Sequence, residues 1–291
     1  MDKRKNKNLK ICVAGLGIIG GSICLALKRA GYAVHGWNRS QLPREYAVNN
    51  SIIDGVAADF KSYDMVFVAL PPEATVAFIL NNEFKKGAVV SDICGVKKPI
   101  EAAICAEKRS FRYVGTHPMA GKEISGIEAA CTDLFDNASM VITKNAGTDE
   151  EALETVRALT KSMGFKCIVE CSAEVHDKKI AYTSQLAHIV SNAYVKDADL
   201  ECCLGFTGGS FQDMTRIAGV DENMWASLYL ENAENVSEKI SSLINSLREI
   251  QAAVDAKNKE NLAKVLGEGR KLFETSKKIV GSADISVIKL K

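Results

Sequence analysis

The sequence predicts an α/β protein: an N-terminal domain built on a parallel sheet over residues 1–171, followed by an all-helical domain over residues 172–291. Three observations carry this. Apolar runs of strand length alternate with helical patterns through the first 170 residues, and the first such pair flanks the glycine pattern Gly15-x-Gly17-x-x-Gly20. Beyond Cys171, long segments with apolar residues at helical spacing replace the strands, and no proline occurs after Pro118.

Residues 9–14 form a buried strand, followed by a glycine turn and an apolar-faced helix ending near Gly31. The run YAVHGW over 32–37 is a second strand, which delivers Asn38-Arg39-Ser40. DMVFVAL over 64–70 is a strand ended by Pro71-Pro72, with a helix after Glu73. GAVVSD over 87–92 is another, followed by a turn and a helix from about 99 to 107. FRYVG over 111–115 is a short strand leading into the loop THPMAGKEISG. ASMVIT over 138–143, a helix over 148–163 and the strand KCIVE close the domain near residue 170. The helical segments 174–204, 222–255 and 257–280 make the second domain, with almost no strand signal. Ligands bind such sheets beyond the carboxyl ends of the strands, so Leu70-Pro71, Asp92 to Gly95 and residues 115–126 should line one cleft.

The strand-turn-helix-strand context makes the glycine pattern a Rossmann-type dinucleotide site. The glycines permit a tight turn and close approach of the pyrophosphate to the helix N-terminus. Gly15, Leu16, Gly17, Ile18, Ile19 and Gly20 are the candidate cofactor residues of the turn, joined by Asn38, Arg39, Ser40, Leu70, Pro71, Asp92 and Gly95 from later strand ends. No acidic residue occurs between Asp2 and Glu45. An acid at position 38 would hold a ribose 2′-hydroxyl and repel a 2′-phosphate; an amide, a guanidinium and a hydroxyl suit the phosphate instead. The expected cofactor is NADP(H), with NAD(H) the alternative.

At 291 residues, 47% hydrophobic, with a net charge of +1, the chain reads as an ordinary soluble protein, without the concentrated Lys and Arg that nucleic-acid phosphates require. The basic start MDKRKNKNLK before an apolar stretch imitates a secretion signal, yet that stretch carries four glycines and is explained by the nucleotide fold, so neither secretion nor a membrane span is expected. The nine cysteines lack metal-ligand spacing and lie mostly in apolar runs, which points to a reducing cytoplasm and no metal site. Of four histidines, His35 lies inside the second strand and is expected to be structural. His117, His176 and His188 lie near segments that face the cleft; His117 sits before a proline in a Gly-bounded loop, where a ligand has the better claim on it.

The segments GLGIIGGS, DICGVK, GTHPMAGKEISG, HDKKIAYTSQLAH, GGSFQDMTRIA and MW, in this order and spacing, resemble the prephenate/arogenate dehydrogenase family of tyrosine biosynthesis from Leu9 to about Asn235. The resemblance implies hydride transfer from a cyclohexadienyl carbinol to the nicotinamide with loss of the ring carboxylate as CO2. It also implies that His117 is the catalytic base, that Arg216 binds a substrate carboxylate, and that His188, Gly209 and Trp225 surround the substrate side chain. Gln185 falls at the same pocket, where it replaces the His of the common SHLPH form; Gly95 replaces a Ser that could steady the histidine, and Lys122 a small polar residue. These departures bear on prephenate against arogenate, not on the reaction.

The long helices carry Trp225, Leu228, Leu230, Ile240, Leu243, Ile244, Leu247 and Ile250 around more of their circumference than one buried stripe needs, so a homodimer is expected; the resemblance further implies that Trp225 serves the neighbouring subunit's site. Neither a fused chorismate mutase nor a C-terminal amino-acid-binding module, which would need roughly 60 residues, is expected, so tyrosine inhibition, if present, is expected at the active site. A 3-hydroxyacid dehydrogenase or imine reductase would share the architecture but place a catalytic Lys where Gln185 and His188 stand; a non-enzymatic NADPH-sensing regulator would need only the first domain.

Overall fold

The computed structural model describes residues 8–122, 124–281 and 287–290; most of the basic leader lies outside them. A six-stranded parallel sheet is formed by β1 (Ile11–Ala14), β2 (Val34–Trp37), β3 (Gly55–Val56), β4 (Met65–Val68), β5 (Val89–Asp92) and β6 (Arg112–Tyr113), in the order β3-β2-β1-β4-β5-β6. Its crossovers run through α1 (Ile18–Arg29), α2 (Gln41–Asn49), α3 (Pro72–Asn81) and α4 (Lys98–Cys105). The order reverses between β1 and β4, the place where a doubly wound sheet opens a crevice.

The pleat explains why these strands read as continuous apolar runs. Ile11, Val13, Met65 and Phe67 enter one buried cluster, while Cys12, Ala14, Val66 and Val68 enter another on the opposite face. Each residue of β1 and β4 is therefore covered, whichever way it points.

A second sheet has the order β10-β9-β8-β7, from β7 (Gly115–Pro118), β8 (Ser139–Thr143), β9 (Cys167–Cys171) and β10 (Val287–Lys289), with α5 (Glu150–Ser162) between β8 and β9. Strand β7 runs antiparallel to β8, pairing His117 with Val141, and the other pairs are parallel. Asp149 starts α5 by accepting the Ala152 amide at 2.8 Å, with Glu150 and Glu151 in the positive first turn. Two expectations change here. The single strand over 111–115 is two strands in different sheets, so His117 lies in a strand rather than a loop; and β10 adds a strand after the last helix.

The remaining elements are α6 (Ala173–Ile180), a π-helical turn over Ala181–Gln185, α7 (Leu186–Tyr194), α8 (Gly209–Thr215), α9 (Glu222–Glu231), α10 (Ala233–Asp255) and α11 (Lys259–Gly281). The chain forms two compact units: Met1–Asp177 with Val220–Glu231 and Ile285–Lys291, and Lys178–Gly219 with Asn232–Asp284. In this division α9 and β10 group with the nucleotide unit, whereas the expected boundary at 171/172 assigns them to the helical domain. In the helical unit, α10 and α11 form a hairpin whose turn places Lys257 at φ 48 and lets Asn258 cap α11 through the Asn261 amide at 3.0 Å. Of α10 only Val236 and Ala253 are buried, while Ile244, Leu247, Val254, Leu266, Leu272 and Phe273 are exposed on the hairpin. Among the described residues no helix is long and apolar enough to cross a membrane.

Candidate active site

The three motif glycines have different physical reasons. Gly15 has φ +99, and a Cβ there would overlap the Ala69 carbonyl; a Cβ on Gly20 would overlap the Gly15 carbonyl. Both are required by the chain itself. A Cβ on Gly17 would meet nothing within 4 Å, so that glycine keeps open the space a ligand would enter. The turn is held from β2: the Gly15 amide donates to the Trp37 carbonyl at 2.7 Å and the Leu16 amide to Asn38 Oδ1 at 3.1 Å. Gly17 caps α1 without a side-chain hydrogen bond, and the first turn carries no acid. Its amides and dipole suit a pyrophosphate. Leu16 is buried in the core and offers only its backbone, whereas Ile18, Ile19 and Leu70 are half-buried beside the turn and Pro71 is exposed at the start of α3.

At the end of β2, Asn38 is half-buried and Arg39 and Ser40 are exposed. Arg39 has no hydrogen-bond or ion-pair partner among the described residues, and Ser40 caps α2 without using its hydroxyl. A guanidinium and a hydroxyl are thus left for an anion, while Asn38 shapes the turn that presents them.

Asp92 does not take its expected place at the cofactor: it is fully buried, and its carboxylate is taken by the buried Lys97 ammonium, the Tyr113 hydroxyl and the Cys94 amide. Burial and the adjacent Asp92 push the Tyr113 hydroxyl well above its ordinary range, which keeps it a donor. The pair is structural: losing one partner of a buried pair costs about 3–5 kcal/mol. Asp92 acts on the site indirectly, because its carbonyl accepts the Thr116 hydroxyl at 2.6 Å and so ties β7 to β5 next to His117.

His117 stands in β7 with Nδ1 2.9 Å from His176 Nε2, and His176 Nδ1 is 2.6 Å from Asp177 Oδ1. Asp177 also accepts the Lys97 and Lys98 amides at 2.9 Å each, which fixes it to the start of α4. His176 and Asp177 are both 2% exposed. Burial, then the neighbouring His176 and Lys97, hold His117 well below the ordinary 6.5, and burial lowers His176 despite Asp177. The His117 ring faces Gly95: a Cβ on that glycine would lie 3.8 Å from Nε2, with Leu228 of α9 at the same contact range. The adjacent His176-Asp177 pair was visible in the sequence; its connection to His117, and the burial of Lys97, were not.

The helical unit carries the other expected residues. His188 Nδ1 donates to the Ile217 carbonyl at 3.1 Å, and Ser191 donates to the Met214 carbonyl at 2.6 Å, so α7 holds the segment at the end of α8 where Arg216 projects, exposed. Gly209 opens α8, where an added Cβ would meet nothing within 4 Å. Gln185 does not fit its expected place as a pocket residue: it is 2% exposed, and its carbonyl oxygen accepts from Asn232 Nδ2 at 2.7 Å, joining the π turn to the start of α10. Trp225, with its ring centroid 5.5 Å from that of Tyr229, belongs through α9 to the compact unit that carries His117 in the same chain. Lys122 donates to Cys131 Sγ at 3.3 Å, and His35 bonds Tyr63 at 2.7 Å, as befits a structural residue. A cavity of about 660 Å³ lined by Lys61, Lys85, Lys108 and Phe111 opens before β4, β5 and β6, at the opposite strand ends from the glycine turn, and is not the cofactor site.

Fold and site together define a dehydrogenase that uses a nicotinamide dinucleotide. The chain belongs to the prephenate dehydrogenase family: residues 23–169 match the family's nucleotide-binding domain and residues 172–268 its dimerization domain. It is 31% identical over 267 residues to the prephenate dehydrogenase of Bacillus subtilis (strain 168), covering 87% of this chain and 72% of that protein. Among solved structures it is similar to prephenate dehydrogenase from A. aeolicus in complex with hydroxyphenyl propionate and NAD+, at TM-score 0.83 and 28% identity over 92% of this chain and 98% of that one. It is also similar to Synechocystis arogenate dehydrogenase, at TM-score 0.79 and 25% identity over 92% and 100%.

Proposed function

We propose that the chain converts prephenate to 4-hydroxyphenylpyruvate and CO2 with NADP+, as a cytoplasmic enzyme of tyrosine biosynthesis. The observation that carries the reading is the line Asp177, His176, His117, which ends on a ring nitrogen beside Gly95. His117 Nε2 takes the proton of the substrate's ring hydroxyl; a nicotinamide held at the glycine turn would supply the acceptor for the hydride of the hydroxyl-bearing carbon, and loss of the ring carboxylate as CO2 makes the ring aromatic. Arg216 offers a planar fork of donors for a carboxylate, with His188 and Gly209 nearby in the same unit. Arogenate is the second reading, favoured by the similarity to an arogenate dehydrogenase along its whole chain. An assay of reduced cofactor formation with each substrate and each of NADP+ and NAD+ tests both; no turnover with any pairing would overturn the proposal.

NADP+ is preferred to NAD+ because Arg39 and Ser40 are exposed and uncommitted and residues 38–40 carry no acid. An Asp at position 38 could still accept the Leu16 amide, so the turn should survive the change. Asn38→Asp with Arg39→Gln should therefore shift kcat/KM toward NAD+, since a charged hydrogen bond contributes about 1.5–3 kcal/mol. Wild-type preference for NAD+ at equal concentration would contradict the assignment.

The helical hairpin's exposed leucines and Phe273 support a homodimer through this unit. Sedimentation should show a dimer at micromolar concentration, and an active monomer would sink it.

A further inference from the structure

Resting on the proposed role of His117 as a base, we infer that His176 and Asp177 are positioning residues that lock His117 in the Nδ1–H tautomer, leaving the Nε2 lone pair toward Gly95. The direction of each hydrogen bond follows from the far end. The Asp177 carboxylate already accepts two backbone amides, Lys97 and Lys98 at 2.9 Å each, and it can only accept from the ring 2.6 Å away. His176 must then carry its proton on Nδ1. Neutral His176 has a lone pair on Nε2, so at 2.9 Å it takes a hydrogen bond from His117 Nδ1. His117 is left with a bare Nε2.

Free histidine side chains favour the other tautomer, with the proton on Nε2, in which this nitrogen is no base. The protein therefore has to select the productive form, and it has little else with which to do so. Gly95 has no side chain to hold the ring from the Nε2 side, and the only hydrogen bond of His117 among the described residues is the one to His176. The selecting end is rigid: His176 and Asp177 are each 2% exposed, and Asp177 is anchored to the amides that begin α4. The logic is that of a base oriented by a third group, with a second imidazole inserted between base and carboxylate.

The tautomer can be read without substrate. With four histidines in the chain, ¹⁵N-labelled imidazole resonances are assigned by removing one ring at a time. Near neutral pH, His117 should show a protonated Nδ1 and an unprotonated Nε2. In His176→Phe, which keeps the bulk and loses the acceptor, the His117 pattern should move toward Nε2–H, with kcat lowered by about 10- to 10³-fold and KM little changed. His176→Gln, whose side-chain oxygen can accept from His117 Nδ1, should restore the pattern and most of the turnover. Wild-type His117 found with its proton on Nε2 overturns the inference even if the Phe variant fails to fold. A His117 tautomer unmoved in a folded His176→Phe also overturns it. Loss of the base assignment itself would appear differently, as a His117→Asn enzyme with normal turnover alongside the tautomer expected here.

Discussion

Replacing His117 with Asn should leave cofactor and substrate binding in place and lower turnover by about 10²- to 10⁴-fold, the usual contribution of a positioned general base. Asn is the informative substitute. Its amide nitrogen falls near the position of Nδ1, so it can still donate to His176 Nε2 and keep the buried line intact, while nothing occupies the place of Nε2. Wild-type enzyme carries the complementary pH signature. Since burial holds His117 below 6.5, the base stays unprotonated as pH falls through that value, and kcat/KM should decline only at a lower pH. The same shift makes the fold lose stability as pH falls from 6.5 toward the lower folded value, because the unfolded state then binds a proton that buried His117 does not. A near wild-type turnover in His117→Asn would remove this residue from the chemistry.

Arg216→Ala should raise KM by about 10- to 100-fold with a smaller change in kcat, matching about 1.5–3 kcal/mol for a hydrogen-bonded charge pair. The exposure of Arg216 in the chain sets this below the larger cost of a fully desolvated pair. Its backbone is held by the Gln212 carbonyl at 3.0 Å, and the neighbouring carbonyls of Met214 and Ile217 are bonded from α7, so truncating the side chain leaves the local fold supported. Saturation with prephenate at an unchanged concentration would contradict a carboxylate-binding role.

What could be read from the sequence was local or periodic. The glycine turn, the strands around it and the long helices all announce themselves within a few residues, because turn chemistry and burial patterns act over that range. The strand containing His117 did not, since β7 is defined by pairing with β8 across the chain rather than by its own short run Gly115–Pro118. Asp92 at the end of β5 looked like a ligand for the same reason that it is not one: its partners Lys97 and Tyr113 are brought in by a turn and by the next strand, and together they neutralise a charge that would otherwise have faced the crevice. Gln185 was misplaced because the π turn re-aims it toward Asn232, and no pattern of residues announces such a turn. The His117–His176 contact spans 59 positions and rests on two separate elements.

The way the chain is threaded also governs how this protein can be taken apart. It passes between the two compact units four times, after Asp177, Gly219 and Glu231 and again between α11 and β10, so no single cut separates them. A fragment ending at residue 171 would keep the glycine turn and His117 but lose the Asp177–His176 end of the line, Leu228 over the cluster around Val90 and Cys94, and the strand that covers the edge of β9. That edge would then present unpaired backbone groups, the usual template for unwanted strand pairing. Swapping the nucleotide-binding half between relatives would meet the same obstacle, because the piece to be exchanged is three stretches of sequence and not one.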